Sequence, residues 1–326
     1  MKNALVCSRS FGTVSEVWDE ILKENGFRIS RVPSEERPLN EEKMIKIFKE
    51  SDPMIVICGA EPITRSVMAA SPNLRMIMKH GVGVDNIDID AATDLNVVIA
   101  NAPGTNTESV ADLTVSMMLA LLRGVVQVAT STKNGGWERF IGHELGSLTV
   151  GVVGTGRIGY SVIQRLLGFG CQILAYDIIE NESLAAEPNL NYCSLEELLK
   201  NADIVTLHAP LMPATREMIG AKELAMMKSS AYLINLARGE LVDEKVLYKT
   251  LEQNGIAGAA VDVYAVEPPQ SSPLLKLNNV IATSHIGAYT YEAMDRMDKV
   301  CVDTVNAILK GEVCPNVLNP QVMDQK

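Results

Sequence analysis

Three polar side chains close apolar runs in the second half of this chain, and each is of a kind that moves a proton or grips an anion. Arg238 follows AYLINL within the turn Ala237-Arg238-Gly239, Glu267 stands a few residues beyond AAVDV, and His285 follows IATS. Such runs read as buried parallel strands, and in open α/β sheets ligands bind outside the carboxyl ends of the strands. A guanidinium is a planar fork that grips a carboxylate and polarises a neighbouring carbonyl. An imidazole exchanges a proton near neutral pH, and a carboxylate beside it fixes its tautomer and favours the charged form. The three together suit the interconversion of a 2-hydroxy acid and its 2-oxo acid. His285 would take the hydroxyl proton in oxidation and return it in reduction.

That chemistry needs a hydride carrier, and the segment LTVGVVGTGRIGYSVIQRLLGFGCQILAYD, from Leu148 to Asp177, has the parts to hold one. Leu148 to Val153 reads as a buried strand. Gly154, Gly156 and Gly159 then supply a tight turn, close backbone approach to a pyrophosphate, and close contact of helix with strand. The pyrophosphate would sit on the N-terminus of the next helix. Cys171 to Tyr176 reads as the second strand, with Asp177 at its tip, about 20 residues past the glycines, where a ribose ligand is expected. A carboxylate there accepts from ribose hydroxyls and repels a 2'-phosphate, and Ile178 and Ile179 offer no arginine to hold one. NAD is therefore expected rather than NADP.

The elements before this fingerprint already make an α/β unit: strands at Ala4 to Cys7, Met54 to Cys58, Arg75 to Met78 and Val97 to Ala100, with helical patterns between them. A single long helix is expected over Ser109 to Ser131, and a last one from about Tyr289 to Lys310. Further strands are expected at Ile204 to His208, Ala231 to Leu236, Ala257 to Val263 and Val280 to Ser284. A chain of 326 residues, 47% hydrophobic, fits two domains of ordinary size. Its six cysteines lack paired short spacings, so neither a disulfide framework nor a metal site is expected, and a reducing cytoplasm is the natural setting. No stretch approaches the length of a membrane span. The formal net charge of -11 argues against nucleic acid as a partner.

The motifs HGVGVDNID at His80 to Asp88, GTGRIG at Gly154 to Gly159, NLARGELVDE at Asn235 to Glu244, AAVDVYAVEPP at Ala259 to Pro269 and SHIGAYT at Ser284 to Thr290 resemble the D-isomer-specific 2-hydroxyacid dehydrogenases, most closely the short form of D-3-phosphoglycerate dehydrogenase. The resemblance places the family's catalytic arginine, glutamate and histidine on Arg238, Glu267 and His285. It implies dinucleotide contacts at Arg157, Ile158, Asp177, His208, Ala209, Pro210, Leu236, Ala237, Asp262 and Gly287. It also implies a substrate carboxylate held by backbone amides at Val82 and Gly83. The fold implied is α/β, with two doubly wound domains, Rossmann-like and flavodoxin-like, and an active-site cleft between them. Residues 1–101 and 288–326 would form the substrate domain and 102–287 the NAD domain. Members of the family usually form homodimers through the region matching Asn106 to Gly146.

One departure bears on the substrate. Phosphoglycerate-specific relatives carry an arginine where this chain has Cys58, whereas Arg139 matches a phosphate-side arginine that reaches a neighbouring subunit. Lys79 and His80 are expected to recruit a second anionic group. D-3-phosphoglycerate is thus the first substrate to consider, with glyoxylate, hydroxypyruvate or another anionic 2-hydroxy acid as alternatives. NAD-sensing corepressors share the fold and stand as an alternative of a different class.

Overall fold

The computed structural model describes residues 2–325 and divides into two units, one made of the chain up to Asn106 and from Tyr289 on, the other of Thr107–Ala288. In the first unit five strands, β1 (Lys2–Val6), β2 (Phe27–Arg31), β3 (Ile55–Cys58), β4 (Met76–Lys79) and β5 (Val98–Ala100), form a parallel sheet in the order β2-β1-β3-β4-β5. Strand order reverses between β1 and β3, so the loops leaving these strands diverge and leave a crevice suited to a ligand. β3 and β5 are apolar throughout and β4 is apolar up to Lys79, and every residue of the three is buried, as a parallel sheet covered on both faces requires.

The second unit has seven parallel strands: β6 (Thr149–Val153), β7 (Gln172–Tyr176), β8 (Leu190–Tyr192), β9 (Ile204–Leu207), β10 (Tyr232–Asn235), β11 (Gly258–Val261) and β12 (Val280–Ala282). Their order, β12-β11-β10-β9-β6-β7-β8, is the doubly wound dinucleotide-binding order with one added edge strand. The switch point here falls between β6 and β9. The helix Arg157–Phe169 leaves β6 and packs on the helix Thr107–Leu122 through Val162, Ile163 and Leu166, all fully buried. Arg165 ties the same two helices at their rim, its Nε 2.7 Å from Asp112 Oδ1 and its Nη2 2.8 Å from Glu108 Oε2.

Three differences from the sequence expectation have local causes. The expected helix over Ser109 to Ser131 is two helices, Thr107–Leu122 and Val125–Lys133, bent by 66°. Gly124 between them has φ +57°, a left-handed conformation that ends one helix and restarts the chain in a new direction. Among the described residues no single helix is long and apolar enough to cross a membrane. The other two differences are β2 and β8, which the sequence did not announce. Both are edge strands, with charged or polar residues on their open sides, so neither has the apolar run that marks an inner strand.

Candidate active site

Arg238, Glu267 and His285 leave the carboxyl ends of β10, β11 and β12, three adjacent strands, and a set of buried contacts fastens their loops to one another. Asn235, the last residue of β10, accepts from the amide of Ala237 at 3.1 Å and donates to the carbonyl of Arg238 at 2.8 Å, clamping the turn that carries the guanidinium. The next residue, Gly239, lies against the backbone of Tyr264. A Cβ there would stand 2.0 Å from the Tyr264 carbonyl carbon, so only glycine lets the two loops meet. Tyr264 reaches the third loop, its hydroxyl donating to the carbonyl of Thr283 at 2.9 Å.

Asp262 sets the turn that carries the imidazole. Completely buried, it accepts from Thr283 Oγ1 at 2.6 Å and from the amides of Ile286 and Gly287 at 2.8 Å each. His285 between them has φ +56°, a conformation costing about 1–3 kcal/mol for a residue with a Cβ. Hydrogen bonds to a charged acceptor contribute about 1.5–3 kcal/mol each, so the two amide bonds to Asp262 outweigh the strain. Held this way, His285 places Nδ1 2.8 Å from Glu267 Oε2, while Glu267 Oε1 accepts from the amide of Tyr264 at 3.2 Å. Partial burial raises the Glu267 pKa, but the His285 hydrogen bond and charge, the Tyr264 amide and the nearby charge of Arg238 outweigh it and hold the carboxyl below its ordinary range. An ionised carboxylate only accepts, so Nδ1 carries a proton and Nε2 is the nitrogen left to exchange one. Arg238 donates through Nη1 to the carbonyl of Ala237 at 2.7 Å.

The glycine fingerprint lies at the other side of the same sheet, on the switch point. Gly154 has φ +91°, and a Cβ on it would stand 2.8 Å from the amide of Ala209, so the turns after β6 and β9 interlock. Gly159 fits within 1.9 Å of the Gly154 carbonyl at its missing Cβ, which seats the helix on its strand. Gly156 faces open space, and with the unpaired first-turn amides of the helix beginning at Arg157 it leaves room for a pyrophosphate. Arg157 is exposed and Ile158 half-buried at that turn. His208 and Ala209 are partly buried beside it and Pro210 is exposed. Burial pushes the His208 imidazole down to about 3, so it is neutral beside the turn, with Nε2 3.0 Å from Thr206 Oγ1. Asp177 accepts through Oδ2 from the amide of Thr155 at 2.6 Å and through Oδ1, more weakly, from Ile179 at 3.3 Å. Partial burial raises its pKa and these bonds more than reverse the effect, leaving it an anion. Leu236 and Ala237, also expected at the cofactor, form the turn between Asn235 and Arg238.

Asp262 and Gly287, also expected at the cofactor, are both buried, and the Asp262 carboxylate accepts from the Gly287 amide in the turn that carries His285.

In the first unit the chain after β4 makes a cradle. The carbonyl of Gly81 accepts from Ala102 at 2.9 Å and that of Val82 from Asn101 Nδ2 at 2.7 Å, so the loop is held by its oxygens. Among the described residues the amides of Val82 and Gly83 have no partner, which suits them to a carboxylate. The expected anion-recruiting roles of Lys79 and His80 are corrected. The His80 side chain is fully buried, its Nε2 2.7 Å from Asp298 Oδ1 and its Nδ1 2.9 Å from Ser10 Oγ. Lys79 is buried as well, with Nζ on the carbonyl of Gly59 at 2.5 Å and on Asn86 Oδ1 at 2.8 Å. Both side chains are bonded to protein partners within this unit. Arg139 is exposed in the segment after the helix Val125–Lys133, away from the His285 loop in sequence and with no partner among the described residues.

Several supporting residues escaped sequence reasoning. Asp298 reaches His80 from the last helix and also accepts from the amide of Gly12 at 3.0 Å; nothing local marks it. Arg37 and Glu61 form a buried ion pair at 2.8 Å beside Cys58, and Arg37 also donates to the carbonyl of Cys7. Asn235 did carry a signal, being the one polar side chain to end the apolar run AYLIN.

The doubly wound sheet, its glycine turn and the paired imidazole and carboxylate define an NAD-dependent oxidoreductase that acts on the CH–OH group of a 2-hydroxy acid. Residues 115–287 match the family described as D-isomer specific 2-hydroxyacid dehydrogenase, NAD binding domain, and the chain belongs to that family. It is 41% identical over 292 residues to a D-3-phosphoglycerate dehydrogenase of Methanocaldococcus jannaschii, a match covering 88% of this chain but only 56% of that protein, so the chain spans little more than half of that relative's length. It is 38% identical over 296 residues to a glyoxylate reductase of Korarchaeum cryptofilum, covering 89% of each. Among solved structures, the D-lactate dehydrogenase of Aquifex aeolicus complexed with NAD and lactic acid superposes with a TM-score of 0.85 at 28% identity, covering 98% of this chain and 99% of that one.

Proposed function

We propose that this enzyme interconverts a small D-2-hydroxy acid that has no second strong anion with its 2-oxo acid, glyoxylate and hydroxypyruvate being the oxo acids of first choice. The observation that carries this reading is the charge balance at the carboxyl end of β3. Cys58, where the phosphoglycerate pattern calls for an arginine, is a buried thiol whose pKa is pushed up to about 12 by desolvation, so it is neutral. The charges that act on it are Glu61, which is paired with Arg37, and Lys79, whose Nζ is bonded to the carbonyl of Gly59 and to Asn86 Oδ1. A phosphate brought there would meet, in place of an arginine fork, the Lys79 ammonium already bonded to two protein oxygens, and would lie near the Glu61 carboxylate.

The geometry of each unit supports the following roles. The guanidinium of Arg238 grips the carboxylate of the acid and polarises the adjacent carbonyl. His285 gives the proton on Nε2 to the carbonyl oxygen as it becomes a hydroxyl, and takes it back in oxidation, while Glu267 stabilises the imidazolium. The nicotinamide, when bound, supplies or accepts the hydride. Asp177 accepts from the adenosine ribose, and the amides after Gly156 face the pyrophosphate. Val82 and Gly83 offer a second amide site for a carboxylate. The exposed apolar side chains Val125, Val126, Trp137 and Ile141 within the Asn106 to Gly146 region support self-association there as a homodimer.

Phosphoglycerate is the second reading, favoured by the free guanidinium of Arg139. NADH oxidation with glyoxylate, hydroxypyruvate, sulfopyruvate and phosphohydroxypyruvate decides between them. A kcat/KM for one of the first two at least about tenfold above that for phosphohydroxypyruvate, a difference of about 1.4 kcal/mol in transition-state binding, is the expected result. The reverse order overturns the proposal, and tight NADH binding with no turnover of any oxo acid would point to a sensing role instead.

A further inference from the structure

The edge strand β8 delivers one side chain to the cofactor end of the sheet, and its bonding has a direction. The amide of Asn181 donates to the hydroxyl oxygen of Tyr192 at 3.1 Å, Tyr192 donates to Thr155 Oγ1 at 3.0 Å, and Thr155 Oγ1 stands 3.1 Å from Asp177 Oδ2. A hydroxyl has one proton to give. Since Thr155 accepts the proton of Tyr192, its own can only go to Asp177, and the three bonds run one way into the carboxylate. The start of the relay is fixed too, because Asn181 Oδ1 caps the short helix Glu182–Ala185 by accepting from Ser183 and Leu184. With the Thr155 amide at 2.6 Å on the same oxygen, Asp177 Oδ2 has two donors that resist its turning, while Oδ1 has a longer bond from Ile179 at 3.3 Å and the Ile178 amide also acts on the carboxylate.

We propose that Thr155 and Tyr192 are specificity-determining positioning residues that lock Asp177 in the rotamer that accepts from a ribose diol and excludes a 2'-phosphate. The inference rests on the reading of Asp177 as the ribose ligand and deepens it. An aspartate free to rotate swings aside and lets a phosphate in; one bonded on one oxygen from two directions keeps its charge where the phosphate would sit. Neighbouring Ile178 and Ile179, exposed by 87% and 77%, add no cation to offset that charge.

The test is equilibrium titration of the whole protein with NADH and with NADPH, followed by fluorescence of the reduced nicotinamide, on the wild type, Thr155→Val, Tyr192→Phe, Thr155→Ser and Asp177→Ala, with thermal melts to verify folding. Thr155→Val and Tyr192→Phe should each shift the ratio of NADPH to NADH affinity about three- to tenfold toward NADPH, as expected for the loss of one net hydrogen bond. Thr155→Ser, which keeps the hydroxyl, should bind as the wild type does. An unshifted ratio in folded Thr155→Val and Tyr192→Phe overturns the inference. If Asp177→Ala shifts the ratio while those two do not, the relay alone is wrong; if Asp177→Ala also leaves it unchanged, Asp177 does not read the ribose and both readings fall.

Discussion

Glu267 holds His285 at 2.8 Å through one carboxylate oxygen and the backbone of Tyr264 through the other, so the acid that orients the imidazole is itself oriented by the loop. Its pKa is held below the ordinary range, and at neutral pH it is an anion facing the ring. An anion favours the protonated imidazole, which is the form that reduction needs. Glu267→Gln keeps the shape and removes the charge. Reduction of the oxo acid should then be slower than in the wild type through the neutral range, by about tenfold or more. Profiles of kcat/KM against pH measure this directly, and superimposable curves for the two proteins would remove Glu267 from proton transfer.

The reach of the sequence was uneven for physical reasons. Inner strands were legible because a strand buried on both faces must be apolar throughout, as in IVIC and GAAV. The fingerprint was legible because its glycines answer steric demands that no other residue meets, and Gly154 and Gly159 sit where those demands are made. The three loop residues could be placed because each lies in the loop that leaves the carboxyl end of a strand. The orientation of side chains was another matter. His80 stands next to the amide cradle in sequence yet turns inward, since Asp298 and Ser10, distant in the chain, satisfy both its ring nitrogens. Long-range partners of that kind leave no periodicity or spacing to read. The bonds of Asp262 to a turn 20 or so residues further on were out of reach of the sequence for the same reason.

Asp262 therefore makes a second prediction. Asp262→Ala leaves the amides of Ile286 and Gly287 buried without a partner, at a cost of about 1–3 kcal/mol each. For a unit of this size each kcal/mol lowers the melting temperature by about 2–4 °C, so a drop of several degrees is expected. Turnover should collapse as well, because the amides that follow His285 lose the acceptor that sets its turn at positive φ. A variant that melts and turns over like the wild type would show that the strained turn keeps itself in place.

The last prediction concerns Asp203, which closes the opposite end of the seven-stranded sheet from the chemistry. Its Oδ1 lies 2.8 Å from Lys228 Nζ and its Oδ2 accepts from the amide of Thr149, the first residue of β6, at 2.9 Å. Partial burial raises its pKa, but the Lys228 hydrogen bond, the Thr149 amide and the charge of Lys228 outweigh burial and bring it below the ordinary value. Between the folded value and the unfolded one, near about 3.9, the unfolded chain binds more protons, so stability rises with pH in that window. The contribution is complete above the unfolded value and is lost as pH falls through the folded one. Asp203→Asn should be less stable than the wild type at neutral pH, and the difference should shrink as the medium is acidified below about pH 4. Urea unfolding over a series of pH values measures the gap. A difference that stays constant down to acid pH would mean that Asp203 acts through its shape and hydrogen bonds alone, with no part played by its charge.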